Sequence, residues 1–447
     1  MKQPGTHTLS GLSTKLAKFS VGLTLQTVPQ KAVDNAKIAI LDCLGVAVLA
    51  ASQEIGDKLA RFAGKNAAQG SCTIWGTSLR SGMRDAALLN GTLAHGLDYD
   101  DRNHASTYTL AVSLAAAEEF DAGGAKSLEA FVVGREIRAA LDGLFSRRSS
   151  GIGPGAKGWH SNGILGPIAS ACAASRVLGL AVEQTVAAIG LAAGSSGALT
   201  RDGGTMAKPF RVGHAAATGM TCALLAAEGF TSDETILEGR YGLLEALGPI
   251  PEEVLMSLGE NLGNEFELER DIRIKPFASC TATHATVEAM LRLTEKQAVT
   301  AADVELIEAD LKPYPLVRQN PKRGFEGRFS MPFCLAHALV YKRLLPDDFS
   351  DRRLEEPRIM ELIDRFRHTS DAPSLTVVLK NGARLTEPLQ TASDLKGWEQ
   401  TVAKFNKSVG TLLSDNQQST VVESVQCIQD LASIRNLTRA LQQGKEN

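Results

Sequence analysis

Aromatic residues make up only 5% of this 447-residue chain, so its interior must be filled by something smaller. Ala and Gly are abundant instead, the composition of tightly packed helices whose backbones approach closely. Charge of one sign is also missing. With 47 basic and 50 acidic residues the net charge is -3, which gives no field favouring nucleic acid or an anionic membrane. Met1 to Lys15 lacks the apolar core of a signal peptide, and no run of about 18 uninterrupted apolar residues is present to span a bilayer. These absences predict a soluble, cytoplasmic protein. The seven cysteines form no C-x-x-C pair and no regular spacing, which argues against a disulfide framework or structural zinc.

At this length a single hydrophobic core has stopped growing, and two domains are expected. From Val28 to about Ile250 the chain reads as successive helices with short Gly-containing connections. Lys31–Ala51, Thr109–Glu119, Leu128–Leu144, Ile164–Leu178, Val182–Gly194 and His214–Glu228 are helix-length and largely apolar. The Gly151–Gly158 segment reads as a loop. Near residue 265 the texture changes. Val304–Leu311 alternates like a strand, and Leu375–Leu385 reads as a hairpin with an Asn381-Gly382 turn suited to type I′ geometry. Thr281–Leu293, Ser330–Tyr341 and Arg358–Arg367 read as helices between them, and after Ser393 helical texture resumes with Leu395–Phe405 and Val422–Leu441. The predicted fold is mainly α: a large all-helical domain built from both chain ends (residues 1–265 and 394–447) with an inserted smaller α+β domain (266–393).

Four constellations stand out. The run Ala94-His95-Gly96-Leu97-Asp98-Tyr99-Asp100-Asp101-Arg102-Asn103-His104 concentrates carboxylates, imidazoles and a guanidinium beside the small apolar segment Arg84–Ala94. Asp98, Asp100 and His104 fit a metal site, an acid/base site or a solvated loop, but carboxylates at the end of a buried helix are costly unless paired or used. Gly158-Trp159-His160-Ser161-Asn162-Gly163 precedes an apolar helix, where His160 is placed either to bind an anion and transfer a proton or simply to cap the helix. In Lys208-Pro209-Phe210-Arg211, next to the Gly-rich Arg201–Thr205 stretch, two cations at a helix entry suit carboxylate binding, Arg with bidentate geometry. In Lys275–His284, Lys275 is a further carboxylate contact or proton carrier. Cys280 and His284 lie four apart, a spacing compatible with a thiol–imidazole pair, and Ser279 is a candidate helix cap.

These four blocks, in this order, resemble the MmgE/PrpD family, which includes 2-methylcitrate dehydratase, cis-aconitate decarboxylase and iminodisuccinate epimerase. Leu41–Gly45, Asn90–His95 and Arg328–Pro332 extend the resemblance over nearly the whole chain. It implies a helical domain formed by both chain ends, a smaller α+β lid, an active site between them and a homodimer, with no metal or organic cofactor. It also places Asp98, His160, Lys208 and Lys275 on positions lining the family's active site. Departures matter for the reaction. Where the family's decarboxylases carry a second loop histidine this chain has Tyr108, where they carry Thr it has Arg102, and their histidine beyond Lys275 is matched by Cys280. A later tyrosine is matched by Phe333, and Arg211 replaces a helix-entry histidine.

All of the family's reactions can be built on removal of a proton from carbon bearing or adjoining a carboxylate, with cations holding the charge. The expectation is a cofactor-free epimerase of a small polycarboxylate. In it His160 or Asp98 is the base, Lys208 binds carboxylate, and Tyr108 or Lys275 returns a proton from the opposite face. Arg102, His104, Arg211, Cys280 and His284 are the expected substrate contacts. The alternatives are dehydration of a hydroxy-tricarboxylate, decarboxylation of a cis-aconitate-like acid, and an inactive carboxylate-binding homologue.

Overall fold

The structure, a computed structural model, describes residues 11–145, 153–270, 272–310, 320–369 and 373–443. It is mainly helical with two small sheets. The first helices are α1 (Leu12–Gly22), α2 (Gln30–Ala51) and α3 (Glu54–Asn66); β1 (Cys72–Thr73) and β2 (Arg80–Ser81) form an antiparallel pair. Then come α4 (Met83–Ala94), α5 (Ala105–Glu119), α6 (Gly124–Ala140), α7 (Ser161–Leu178), α8 (Val182–Gly194) and α9 (Ala207–Ala227). Ile38–Val48 of α2 and Ala105–Glu118 of α5 are buried without interruption, as expected of helices apolar on all faces inside a bundle.

Small residues set how closely these helices approach. A Cβ built on Gly213 of α9 would lie 2.1 Å from the Leu88 carbonyl of α4, and one on Gly219 would lie 2.5 Å from the Ala171 nitrogen of α7. Nothing larger than Gly fits there, so α4, α7 and α9 are locked at backbone contact distance. That locking fixes where their ends converge.

Short helices α10 (Leu243–Ala246) and α11 (Glu252–Ser257) lead into the second half. It holds α12 (Thr281–Lys296), β3 (Val304–Asp310), α13 (Met331–Tyr341), α14 (Asp351–Leu354), α15 (Pro357–Asp364), β4 (Phe366–Thr369), β5 (Ser374–Leu379) and β6 (Arg384–Pro388). The sheet order is β4-β3-β5-β6, with β3 and β4 parallel and the other pairs antiparallel. The chain then returns through α16 (Gly397–Val409), α17 (Asp415–Gln426) and α18 (Arg435–Ala440). Phe405 of α16 packs so tightly on Gly45 of α2 that an added Cβ would sit 2.9 Å from its ring, and Lys404 pairs with Asp42 of α2 at 2.6 Å.

Several expectations change on inspection. Arg358–Arg367 is helical only to Asp364, and Phe366–Thr369 is a strand because Ile307–Asp310 offers it a parallel partner. The β5–β6 connection is not type I′, which needs two positive φ angles: only Gly382 has one, at 85°. Leu379 N–H bonds to the Ala383 carbonyl at 2.8 Å, giving a three-residue loop with Gly in the left-handed position. Val422–Leu441 is broken into α17 and α18. Within Gly151–Gly158, residues 151 and 152 lie outside the described residues, and Pro154–Lys157 forms a single 3₁₀ turn. Among the described residues no single helix is long and apolar enough to cross a membrane.

Candidate active site

The α4–α5 connection carries the acidic cluster, and its backbone is bent twice: Asp98 (φ 50°) and His104 (φ 60°) both occupy the left-handed region, which Asp and His tolerate better than most residues. Asp101 stabilises the second bend. Its Oδ1 accepts the N–H groups of Asn103 (3.0 Å) and His104 (2.8 Å), while Oδ2 accepts from Arg135 of α6 at 3.0 Å and from the Ser106 hydroxyl. Arg135 in turn pairs with Glu267 at 2.9 Å. From the other side, Lys404 donates to the Tyr99 carbonyl at 2.7 Å.

So braced, the loop meets two lysines from distant sequence. Lys208, in the first turn of α9, donates to Asp98 Oδ1 at 2.8 Å and to His95 Nε2 at 2.7 Å. Lys275 reaches Asp98 Oδ1 at 3.1 Å and the Asp98 carbonyl at 2.8 Å. Asp100 sits between two imidazoles, with Oδ1 2.9 Å from His95 Nδ1 and Oδ2 2.8 Å from His104 Nδ1. All are buried except His104, whose side chain is 16% exposed.

These contacts fix protons. A carboxylate only accepts, so both Nδ1 atoms facing Asp100 carry hydrogen. His95 then accepts from Lys208 at Nε2 and is neutral; burial and the Lys208 charge push its pKa down to about 3. Burial alone would raise the Asp98 carboxyl, but the two ammonium groups outweigh it and hold it well below the usual range, so Asp98 is ionised and a weak base. The other nitrogen of His104, Nε2, lies 3.7 Å from Asp98 Oδ1. His160 is the N-cap of α7: its Nδ1 accepts the Asn162 N–H at 3.3 Å, so its own proton sits on Nε2. Burial, then Arg211 and Lys208, keep it neutral.

His95, Asp98, Asp100 and His104 also offer four ligand atoms within 4.8 Å of one another, a set compatible with a divalent ion. The fit fails on one point. Lys208 Nζ already stands against both Asp98 Oδ1 and His95 Nε2, with Lys275 beside it, so fixed ammonium groups fill the place of a metal.

Residues 14–252 match the MmgE/PrpD N-terminal domain and residues 277–430 the MmgE/PrpD C-terminal domain. The chain belongs to the MmgE/PrpD family. Among its relatives are proteins named cis-aconitate decarboxylase from Mus musculus (26% identical, over 97% of this chain and 94% of that protein) and Homo sapiens (24%, over 97% and 95%). Another of that name, from Aspergillus terreus, is 24% identical over 97% of this chain and 96% of its own length.

Other residues singled out from the sequence of this MmgE/PrpD protein are placed differently. The Tyr108 hydroxyl is fully buried without a hydrogen-bond partner; its ring packs by Gly166, and burial raises its pKa. The charges acting on it are chiefly Arg138 and Arg135. Neither Lys208 nor Lys275 bonds to it. Arg102 pairs with Asp394 at 2.5 Å, as does Arg273 at 2.9 Å, and lines a cleft of about 690 Å³ with Arg135 and Glu267. Cys280, not Ser279, is the N-cap of α12, and burial and Asp98 push its thiol up to about 11. His284 turns its Nε2 to the Ser279 carbonyl at 3.1 Å. The spacing of four therefore yields no thiol–imidazole pair.

Two buried guanidiniums complete the surroundings. Arg211, in α9, has no hydrogen-bond partner at Nε, Nη1 or Nη2, and its nearest acid is Asp202 at 3.5 Å. Arg328 lies between the rings of Phe325 (4.9 Å) and Phe349 (4.8 Å), and Asp98 leads the charges acting on it. In the sequence, Arg328 stands out only as part of a family block. The signal that marks it is burial of an unpaired charge, which no spacing reveals.

Proposed function

We propose that this chain is an acid–base enzyme that moves a proton on the carbon beside a carboxylate of a small di- or tricarboxylate. One observation carries the reading: Asp100 holds His104 by Nδ1, so that Nε2 faces Asp98, which is itself paired with two ammonium groups. His104 Nε2 is the base, and Asp100 stabilises the imidazolium that forms. The electron pair released from the C–H bond passes onto the adjoining carboxylate, where Lys208, Lys275 and the Nε2–H of His160 hold it. The mobile base moves from Asp98 or His160 to His104 because the lysines hold Asp98 ionised and the α7 cap fixes the proton of His160. Every group the step needs is a side chain of this chain, so no cofactor is invoked.

The fate of the released electron pair separates the possible outcomes. Return of a proton by Lys275 gives epimerisation; Tyr108 and Cys280, where the family's decarboxylases have histidine, favour this outcome. Loss of carbon dioxide needs no prior C–H cleavage: the pair of the breaking C–C bond is left on the substrate, and the carbanion takes a proton from the site; this outcome is favoured by the names of the relatives that align with almost the whole chain. Dehydration is the weakest, since Tyr108, its expected acid, makes no bond to the cluster. The reading includes residues 266–393 as a lid over a helical body made by 1–265 and 394–447, and a homodimer.

Incubation of cis-aconitate and of 2-substituted succinates in deuterated water tests this. Epimerisation gives deuterium at an inverted carbon without mass loss; decarboxylation gives carbon dioxide and a deuterated product. Exchange that persists undiminished in H104N rules out His104 as the base, and no exchange or turnover with any such acid removes the enzymatic reading.

A further inference from the structure

Burying a cation without an anion beside it is costly, and folded proteins rarely retain such a group without a use. Here there are two. Arg211 has three buried guanidinium nitrogens without a partner, and Asp202, its nearest acid, is half exposed to water. Arg328 is 3% exposed, its Nε has no partner, and its one hydrogen bond is a long 3.4 Å contact to the Pro346 carbonyl. The acids that act on it after Asp98, Asp347 and Glu54, are exposed. Both arginines bear on the same centre, Arg211 as the leading charge on His160 and Asp98 as the leading charge on Arg328.

The count of charges is specific. Asp101 is matched by Arg135 and Asp42 by Lys404, which leaves four buried cations, Lys208, Lys275, Arg211 and Arg328, with two buried acids, Asp98 and Asp100, and the half-exposed Asp202 at 3.5 Å from Arg211. Water screens the half-exposed Asp202, so with the imidazoles neutral, as a resting base requires of His104, the buried groups alone have an excess of two positive charges.

We propose that Arg211 and Arg328 are the two carboxylate anchors of the substrate, and that the substrate is a dicarboxylate dianion, not a tricarboxylate. This rests on the proton-transfer reading above. The lysines, occupied by Asp98, are left to stabilise charge that develops during reaction, while each arginine receives a carboxylate in the ground state.

Succinate and tricarballylate are the probes, titrated calorimetrically against wild type, R211M and R328M. Each substitution should weaken succinate binding about 10- to 100-fold, the worth of one charge-assisted contact, and tricarballylate should bind no tighter than succinate. The melting temperature of ligand-free R328M should equal or exceed that of wild type, because an uncompensated buried charge has been removed. Succinate affinity within twofold of wild type in R328M, or tricarballylate at least tenfold tighter than succinate, overturns the proposal. So does a lowered R328M melting temperature with unchanged affinity, which makes Arg328 a packing residue. These outcomes are separate from the exchange experiment: succinate binding lost in both variants, without deuterium exchange in wild type, would retain the anchors and remove the acid–base reading.

Discussion

Lys208 Nζ lies 2.7 Å from His95 Nε2, so an ammonium group donates to an imidazole that is itself held by Asp100. The arrangement forbids a second proton on His95. Long-range ¹H–¹⁵N spectra should show His95 as the neutral Nδ1–H tautomer throughout pH 5–8, with protonation only near its depressed value of about 3. In K208M the largest lowering charge is lost, and the titration should move upward. A His95 that titrates near 6.5 in the wild type would contradict the assigned network.

Asp98 neutralises two ammonium groups at once. D98N should abolish turnover and cost about 3–5 kcal/mol of stability, because it leaves buried cations without their partner. Chemical denaturation measures the loss. A loss below about 1 kcal/mol would mean that water reaches the lysines far more freely than their burial implies.

Stability should fall as the medium is acidified from pH 7 toward pH 4. His95 and His284 are depressed to about 3 and His337 to about 4, with His160 also low. In each case burial is the main cause. All four take up protons on unfolding at pH 5, when the unfolded value is near 6.5. Asp42 and Glu136, raised by burial to about 6 and about 7, release theirs. The net uptake of about two protons corresponds to roughly 2–3 kcal/mol per pH unit, with stability rising with pH. Denaturation midpoints across this range should give that slope, and H284Q should reduce it by about one proton.

Cys280 is a helix cap with a neutral thiol, not a nucleophile. C280S should keep turnover within a few-fold of wild type, and iodoacetamide should inactivate the enzyme slowly at neutral pH, since little thiolate is present. Rapid stoichiometric inactivation traced to Cys280 would reverse this.

The ammonium groups against Asp98 make a divalent ion redundant. Prolonged chelation should leave turnover unchanged, and added zinc or manganese should not raise it. Chelation that abolishes activity, with recovery on adding one metal, would place an ion among His95, Asp98, Asp100 and His104 after displacement of Lys208.

Much of the helical architecture was legible because periodicity and composition report burial directly. Val182–Gly194 matches α8 end to end, and α2, α7 and α12 differ from expectation by three residues or fewer at each end. Failures arose where a long-range partner decides. Phe366–Thr369 is a strand only because β3 lies beside it, and α9 begins seven residues before the predicted His214 because Lys208, Pro209 and Arg211 are spent inside its first turns. Local spacing brought Asp98, His104 and Lys208 into view as chemistry-bearing residues. It could not show which ring nitrogen each histidine turns to its partner, that Tyr108 bonds to neither Lys208 nor Lys275, or that Arg328 is buried without an acid against it, since each depends on the folded geometry and not on spacing.

A single oxygen, Asp98 Oδ1, receives ammonium groups from residues 208 and 275, one from each half of the polypeptide. Competence therefore cannot emerge gradually during folding: a chain ending near residue 270 would present the carboxylate to only one of its lysines and lack Arg328 altogether. Recovery of turnover after dilution from denaturant should accordingly lag recovery of helical signal, tracking the moment when the two halves join.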